Sequence, residues 1–416
     1  MLTAQPSHPP QQKYLGSRGL IALLALLSAF VPLSTDMYLP ALPTMSKNLQ
    51  APIEQINLTL TAFFVLFSIG MLVWGPLSDR YGRKPILLIG LSLYVIASGA
   101  CSITDSVTAL IVFRGLQALG GSASGAVASA IVKDTFSGRQ RETVLAIVQS
   151  MVMISPAVAP MLGAALLNFT SWRGVFWALT AVGVVALVCA LLLQETLQQR
   201  TTGALWATYA RLGKVVQNRG FTLLMLLFSL GGISGLAFVS ASTYIYQDGF
   251  GLSGQAYSLY FGLNAVCLIA GPAIYMRLSR RFHPETIIRA SFLISLTSGV
   301  LVVLLGNLAP YVFALAILPS SIAGSIMRPP STNLMLEQQT GDTGSMVSVI
   351  GCVGLLMGSL GMTLISLPWG NTIVALGAMI ILTSGISLFA WPFVIRQAVR
   401  LPHGAPVEPE LEPSSL

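Results

Sequence analysis

Twelve stretches of about twenty mostly apolar residues follow one another along this 416-residue chain, separated by short polar turns. They lie near residues 20–40, 58–78, 86–103, 108–132, 142–166 and 173–194, then near 220–242, 254–277, 285–305, 310–332, 343–367 and 372–396. A stretch of that length and composition crosses a bilayer as a helix, which satisfies every backbone polar group inside the segment. Only 9% of the residues are charged, against about a quarter in soluble domains, and no gap between the stretches is long enough to hold such a domain. The expectation is an all-α membrane protein of twelve transmembrane helices. The first stretch follows Lys13 and Arg18 as a signal peptide would, but its apolar run is too long and no small-x-small cleavage site closes it. It is expected to stay as the first helix.

The net charge of +8 invites a nucleic-acid reading, which the placement of the charges removes. With a cytoplasmic amino terminus, eighteen of the 22 Lys and Arg fall on the inner side, from Lys13 and Arg18 through Arg80, Arg83 and Lys84 to Arg396 and Arg400. Only Lys47 and Arg173 fall outside, and Arg114 and Arg328 lie within spans. This bias predicts both termini inside and no nucleic-acid partner. The longest internal loop divides the spans six and six. It predicts an amino-terminal tail (1–19), a six-helix bundle (20–194), a cytoplasmic linker (195–219), a second bundle (220–396) and a disordered tail (397–416). Within the linker, Leu205, Trp206, Tyr209, Leu212 and Val216 recur at helical spacing, as in a helix lying on the membrane surface. A weak internal repeat supports duplication: Gly75-Pro76 closes span two before Arg80, Arg83 and Lys84, and Gly271-Pro272 precedes Arg277, Arg280 and Arg281.

Several chemistries are excluded. Cys101, Cys189, Cys267 and Cys352 are isolated within apolar runs, and His8, His283 and His403 lie outside them, so no metal site, disulfide frame or buried histidine relay is expected. No phosphate-binding loop of the G-x-x-x-x-G-K-[ST] form exists, which excludes ATP as the drive within this chain. No catalytic constellation is visible, and no cofactor is expected. Secondary transport remains. A receptor or scaffold would need soluble docking segments, and the loops are too short for them.

The segment Gly75-Pro-Leu-Ser-Asp79-Arg80-Tyr-Gly82-Arg83-Lys84-Pro85 resembles the signature loop between helices two and three of the major facilitator superfamily. That resemblance implies two pseudo-symmetric six-helix bundles, with Gly75, Asp79, Arg80, Gly82 and Arg83 as gating groups that bridge helix ends in one conformation and release them in another. Asp36-Met-Tyr-Leu-Pro40-Ala-Leu-Pro43, Ser171-Trp172-Arg-Gly-Val-Phe176-Trp177 and Gln194-Glu195-Thr196-Leu197 are similar to the bicyclomycin and chloramphenicol resistance family, as is Tyr260-Phe-Gly-Leu-Asn264. This similarity implies a monomeric drug:proton antiporter of the bacterial inner membrane, with small-molecule drugs, protons and the lipid bilayer as partners. The helix-four motif runs Arg114-Gly-Leu-Gln117-Ala118, with alanine where the superfamily pattern has glycine. The antiporter motif of helix five keeps Pro156, Pro160 and Gly163 but carries Ala159 in place of glycine.

Read without any family, the charges inside the spans are the first functional candidates, since an ionisable group at membrane depth costs about 3 kcal/mol or more. Asp36 lies about 6 Å below the outer edge of the hydrocarbon core and Arg114 roughly 9 Å below it. They read either as a switchable pair, with Asp36 binding a proton or a cationic substrate while Arg114 turns to Gln117, or as a structural ion pair between helices one and four. Arg328 forms a carboxyl-half counterpart with Glu337, or else snorkels to the inner face. Tyr38, Asn57, Thr61, Phe64, Gln117, Tyr244, Tyr257, Tyr260 and Asn264 fall where the bundles face each other and form the candidate substrate lining. Gly121-x-x-x-Gly125 and Gly354-x-x-x-Gly358 allow close helix contacts, and Gly231, Gly232 and Gly235 loosen span seven. The resulting expectation is a proton-coupled exporter of drugs or amphipathic molecules working by alternating access. A proton-linked carrier of a natural metabolite is the alternative.

Overall fold

The computed structural model describes residues 12–197, 200, 205–338 and 343–399. Residues 1–11 of the expected amino-terminal tail and 400–416 of the expected carboxyl-terminal tail lie outside these. Fourteen α-helices succeed one another: α1 (Gly16–Asp36), α2 (Leu42–Asn48), α3 (Ile53–Tyr81), α4 (Arg83–Ile103), α5 (Val107–Thr135), α6 (Gly138–Leu167) and α7 (Trp172–Leu192) form the first half. Helix α8 (Leu205–Gln217) links it to α9 (Arg219–Tyr244), α10 (Gly254–Leu278), α11 (Pro284–Leu305), α12 (Pro310–Leu336), α13 (Thr343–Ile365) and α14 (Thr372–Val399). Twelve of these segments are long and apolar enough to span a membrane, and all twelve coincide with the stretches read from the sequence. The linker helix also falls where the periodicity of its apolar residues put it.

Local chemistry sets the ends. The side chains of Ser106, Asn218 and Ser253 accept from the backbone N–H three residues on and cap α5, α9 and α10. Pro284 and Pro310 begin α11 and α12, where a missing N–H costs nothing. Two ends depart from expectation. The first span breaks after Asp36 into a 3-10 turn over Leu39–Ala41 and the short α2, because Pro40 and Pro43 cannot donate into a continuing helix. Gly75-Pro76 does not close span two: α3 runs through Pro76 to Tyr81 and stops at Gly82, whose φ of 110° suits only glycine.

Three apolar cores explain the shape. One lies wholly in the first half and holds Leu24, Leu87, Leu91, Ile131 and Ala190. A second lies wholly in the other half and holds Phe221, Leu224, Ile288, Met335 and Trp391. Both occupy the face that carries the chain ends, here the terminal face. The third core joins the halves at the opposite, far face, where Tyr38, Phe63 and Phe176 share it with Phe238, Tyr246, Phe313 and Met362. Among the described residues, hydrogen bonds cross between the halves toward the far face: Asn57 to Ser366 Oγ (2.8 Å), Thr243 to Leu39 O (3.0 Å), Gln247 to Pro40 O (3.2 Å), Ser258 to Pro160 O (3.0 Å) and Gln255 to Asn168 (2.6 Å). The halves are therefore closed against each other at the far face and hold separate cores at the terminal face.

Small residues set the helix spacing, though not always the expected ones. A Cβ on Gly120 would stand 2.6 Å from the Gly90 carbonyl oxygen, whereas Gly125 has no atom within 4 Å, so α4 and α5 meet through Gly90 and Gly120. Gly354 presents its carbonyl oxygen to Gly232, and Gly358 meets Leu236, which seats α13 on α9 as the second small-residue motif suggested. Helix α9 nonetheless runs unbroken through its three glycines. In α6 a Cβ on Gly163 would clash with the Met37 carbonyl, so α6 packs directly on the turn after α1. Gly163→Ala should lower stability by about 1–3 kcal/mol, the usual cost of overpacking. Gly231→Ala, with open space around it, should leave the melting temperature unchanged or raise it slightly, as thermal unfolding of the purified protein would reveal.

Candidate transport site and gates

Arg114 is fully buried in the first third of α5. Its Nη1 donates to Gln117 Oε1 (2.6 Å) and to the Ser34 carbonyl (3.0 Å), and Gln117 donates on to Ser98 Oγ (2.7 Å). The guanidinium lies over the rings of Phe63 (4.4 Å), Tyr38 (4.7 Å) and Phe176 (5.8 Å), which supply the cation–π attraction that replaces a counter-ion. Its Nε and Nη2 have no partner. The ion pair expected with Asp36 is not formed in this conformation. Arg114 meets Ser34 and Tyr38, which are one helical turn apart, and Asp36 falls between them, on the opposite side of α1 at 100° per residue. Asp36 is 7% exposed, accepts from Thr35 Oγ1 (3.0 Å) and touches no cation.

The signature loop is tied down by groups far away in sequence. Arg83 is buried and donates to Asp79 (2.5 Å), Ser78 Oγ (2.7 Å) and Asp134 (2.8 Å), binding the ends of α3, α4 and α5 together. Glu195 accepts from the backbone N–H of Arg83 (3.0 Å), Lys84 (3.2 Å), Thr196 (2.9 Å) and Leu197 (3.0 Å). A carboxylate thereby caps the start of α4, where the helix dipole favours negative charge. Its close approach leaves no room for a side chain at Gly82. Arg80 departs from expectation: it is exposed, lies over Tyr81 (5.6 Å) and joins no ion pair among the described residues, because it points outward from the last turn of α3. Gly75 lies in open space within α3. Sequence reasoning missed Asp134 as a partner, and it marked Glu195 by resemblance without assigning it a task. In the other half Arg277, Arg280 and Arg281 are exposed and join no ion pair among the described residues, so the repeated charges are not bridged.

Most of the candidate lining lies inside the closed far layer. Tyr38 is buried with its hydroxyl on Thr59 (2.7 Å), and Phe64 packs edge-on against Phe63. Asn57 bridges to Ser366, and Thr61 edges a small recess between α3 and α13. Tyr244 is buried with an unpartnered hydroxyl, Tyr257 reaches Ser242 (3.4 Å), and Tyr260 is half-buried and stacked on Tyr246 (4.9 Å). Asn264 donates to Ser321 within the second half (2.7 Å). Tyr246 is the hub that the sequence reading missed, touching Tyr257, Tyr260, Phe250 and Phe313 from the π-helical turn that ends α9. Pro156, Pro160 and Gly163 sit in the unbroken α6, facing α1 through Gly163 and α10 through the Pro160 carbonyl. Arg328 and Glu337 do not pair: nine residues apart, they project on opposite sides of α12 and its end.

The comparisons agree with this architecture. The profile of the Major Facilitator Superfamily matches residues 24–362, and the chain belongs to that family of multi-pass membrane transporters. It is 32% identical over 380 residues to the "Uncharacterized MFS-type transporter YdgK" of Bacillus subtilis (strain 168), covering 89% of this chain and 93% of that protein. It is 32% identical over 365 residues to the "Chloramphenicol resistance protein" of Pseudomonas aeruginosa, covering 85% and 86%. Its fold is similar to that of a bacterial homolog of the human lysosomal transporter Spinster in an inward-facing, unoccupied conformation, with a TM-score of 0.71, 17% identity, and 94% and 96% of the two chains covered.

Glu195→Ala removes the shared acceptor of four backbone N–H groups and should lower stability by about 1–3 kcal/mol. Glu195→Gln keeps an acceptor oxygen and should lose less, which thermal unfolding of the three proteins would rank.

Proposed function

We propose that this transporter exports drugs or other amphipathic small molecules in exchange for protons, by alternating access across the bacterial inner membrane. The basic residues crowd the terminal face, which the positive-inside rule assigns to the cytoplasm. On that assignment the separate cores at the terminal face make this the inward-facing state, with the far layer as its closed outer gate. The relative named for chloramphenicol resistance supports the substrate class.

The observation that carries the coupling is Asp36. It is a buried carboxyl group with no cation partner, at the break of α1 where α6 packs through Gly163 and where the carbonyls of Leu39 and Pro40 hold the other half. A group so placed exchanges a proton at the point where the halves are tied. Arg114 holds its charge permanently and fixes α1 to α5 through Ser34 and Tyr38. Drug binding from the inside displaces the proton from Asp36, the halves rock about the tyrosine layer, and reprotonation from outside releases the drug. Arg83, Asp79, Asp134 and Glu195 keep the inner ends of α3, α4 and α5 moving as one body. The energy suffices: one proton moving down a 100 mV potential releases about 2.3 kcal/mol, enough to hold a neutral substrate at a roughly 50-fold gradient.

In proteoliposomes, chloramphenicol added to wild type should drive proton movement, and Asp36→Asn should reduce that coupling at least tenfold while leaving chloramphenicol self-exchange intact. Undiminished coupling in the variant would remove Asp36 from the mechanism, and transport of a metabolite but of no drug would favour the metabolite carrier. In a cysteine-free background, Asn57→Cys with Ser366→Cys should cross-link across the far layer and stop transport, with activity returning on reduction.

A further inference from the structure

Of the three charges read within the spans, Asp36, Arg114 and Arg328, the last is left without a task by the mechanism above. It lies inside α12, eight residues before the helix ends, or about 12 Å along its axis. Its surroundings follow from what the rest of α12 touches. Ser321 and Ser325 face α10, through Asn264 and the Leu268 carbonyl (2.7 and 2.5 Å). Ala316 and Ser320 face α11, through Ser298 (2.5 and 3.2 Å). Tyr311 and Leu315 are 61% and 62% exposed on the lipid side. Phe313 and Ile317 point the other way, into the core shared by the halves, where Phe313 packs on Tyr246 (5.4 Å).

At 100° per residue Arg328 falls about 20° from Ile317 on one side and about 20° from Ser321, on the α10 side, on the other, but about 140° from Leu315. It sits where the stripe that faces the other half meets the α10 face, beyond the point where the shared core ends. Gly324, on the same stripe, has no atom within 4 Å of its missing Cβ. Arg328 itself is exposed, and among the described residues its guanidinium makes no hydrogen bond, ion pair or ring contact. The described carboxylates of the second half are Asp248, at the far face, and Glu285 and Glu337, at the terminal face, so none shares its depth. Arg83 and Arg114 each have dedicated partners; Arg328 has an open cleft in front of it.

We propose that Arg328 is the anion-binding group of the transport cleft and that the preferred substrates are amphipathic molecules carrying a carboxylate. This rests on the export reading of the same cleft. A guanidinium offers two parallel N–H donors that match a carboxylate, while the apolar stripe above it toward Ile317 and Phe313 receives the rest of the molecule. The cleft then discriminates by charge where the tyrosine layer alone would select only by shape.

The probes are chloramphenicol and its hemisuccinate ester, which differ by one carboxylate-bearing arm. Dissociation constants measured on the purified full-length protein should be at least tenfold lower for the hemisuccinate in wild type. Arg328→Gln should erase that preference and leave chloramphenicol binding within about twofold, which also shows that the variant is folded. Arg328→Lys, which keeps the charge but not the paired donors, should retain only part of the preference, and it carries the test if Arg328→Gln does not fold. Equal affinity for the two probes in wild type, no binding of the hemisuccinate, or a preference that survives in Arg328→Gln would overturn the proposal. A preference confined to wild type together with no transport of either probe into liposomes would sustain the anion site and overturn export of this class instead.

Discussion

Hydrocarbon offers no hydrogen bonds, and this constraint shapes every part of the structure. Each span must satisfy its own backbone, so the chain crosses as helices and can leave helical geometry only where protein supplies the missing partners. The break after Asp36 is such a place. Pro40 and Pro43 end regular helix there, and the carbonyls of Leu39 and Pro40 accept from Thr243 and Gln247 of the other half. An interruption forced by two prolines becomes the seam along which the halves are joined. The same turn brings Met37 against Gly163, so the seam, α6 and the buried Asp36 form one mechanical unit.

Three arginines show how position decides what a charge does. Arg114, fully enclosed, is neutralised by aromatic faces, a carbonyl and an amide, an arrangement that holds α1, α3, α5 and α7 in register. Arg83, at a helix start near the terminal face, is matched by two carboxylates and fastens three helix ends. Arg328 is exposed and has no ion-pair partner among the described residues. A cation without an internal partner at membrane depth points outward to what the cleft receives, while the other two point inward to how the first half is built.

The asymmetry between the halves follows from these placements. Both carry a Gly-Pro pair followed by basic residues, yet among the described residues only the first half pairs a cation of this segment with carboxylates, Arg83 with Asp79 and Asp134, while Glu195 accepts from the backbone N–H groups at the start of α4. In the second half Arg277, Arg280 and Arg281 are exposed and, although Glu285 follows at the start of α11, join no ion pair among the described residues. The distribution of acids ties the ends of α3, α4 and α5 together in the first half and leaves the matching arginines of the second half unbridged among the described residues.

The sequence alone determined the number and order of the spans, the linker helix and the family, because apolar length and motif residues act locally and need no knowledge of neighbours. It also singled out Asp36, Arg114 and Arg328, since a charge in an apolar run is conspicuous whatever surrounds it, and Arg83 through the motif it belongs to. Which partner each charge meets was decided by the tertiary structure. Matching depth suggested that Asp36 pairs with Arg114, but depth says nothing of rotation, and the two lie on opposite sides of α1. Asp134 and Glu195 reach Arg83 from 51 and 112 residues away, and Tyr246 becomes a hub only once α9, α10 and α12 converge. Such contacts depend on how helices are turned and spaced against one another, which is settled by the packing of all of them together and leaves no periodic signal in any one segment.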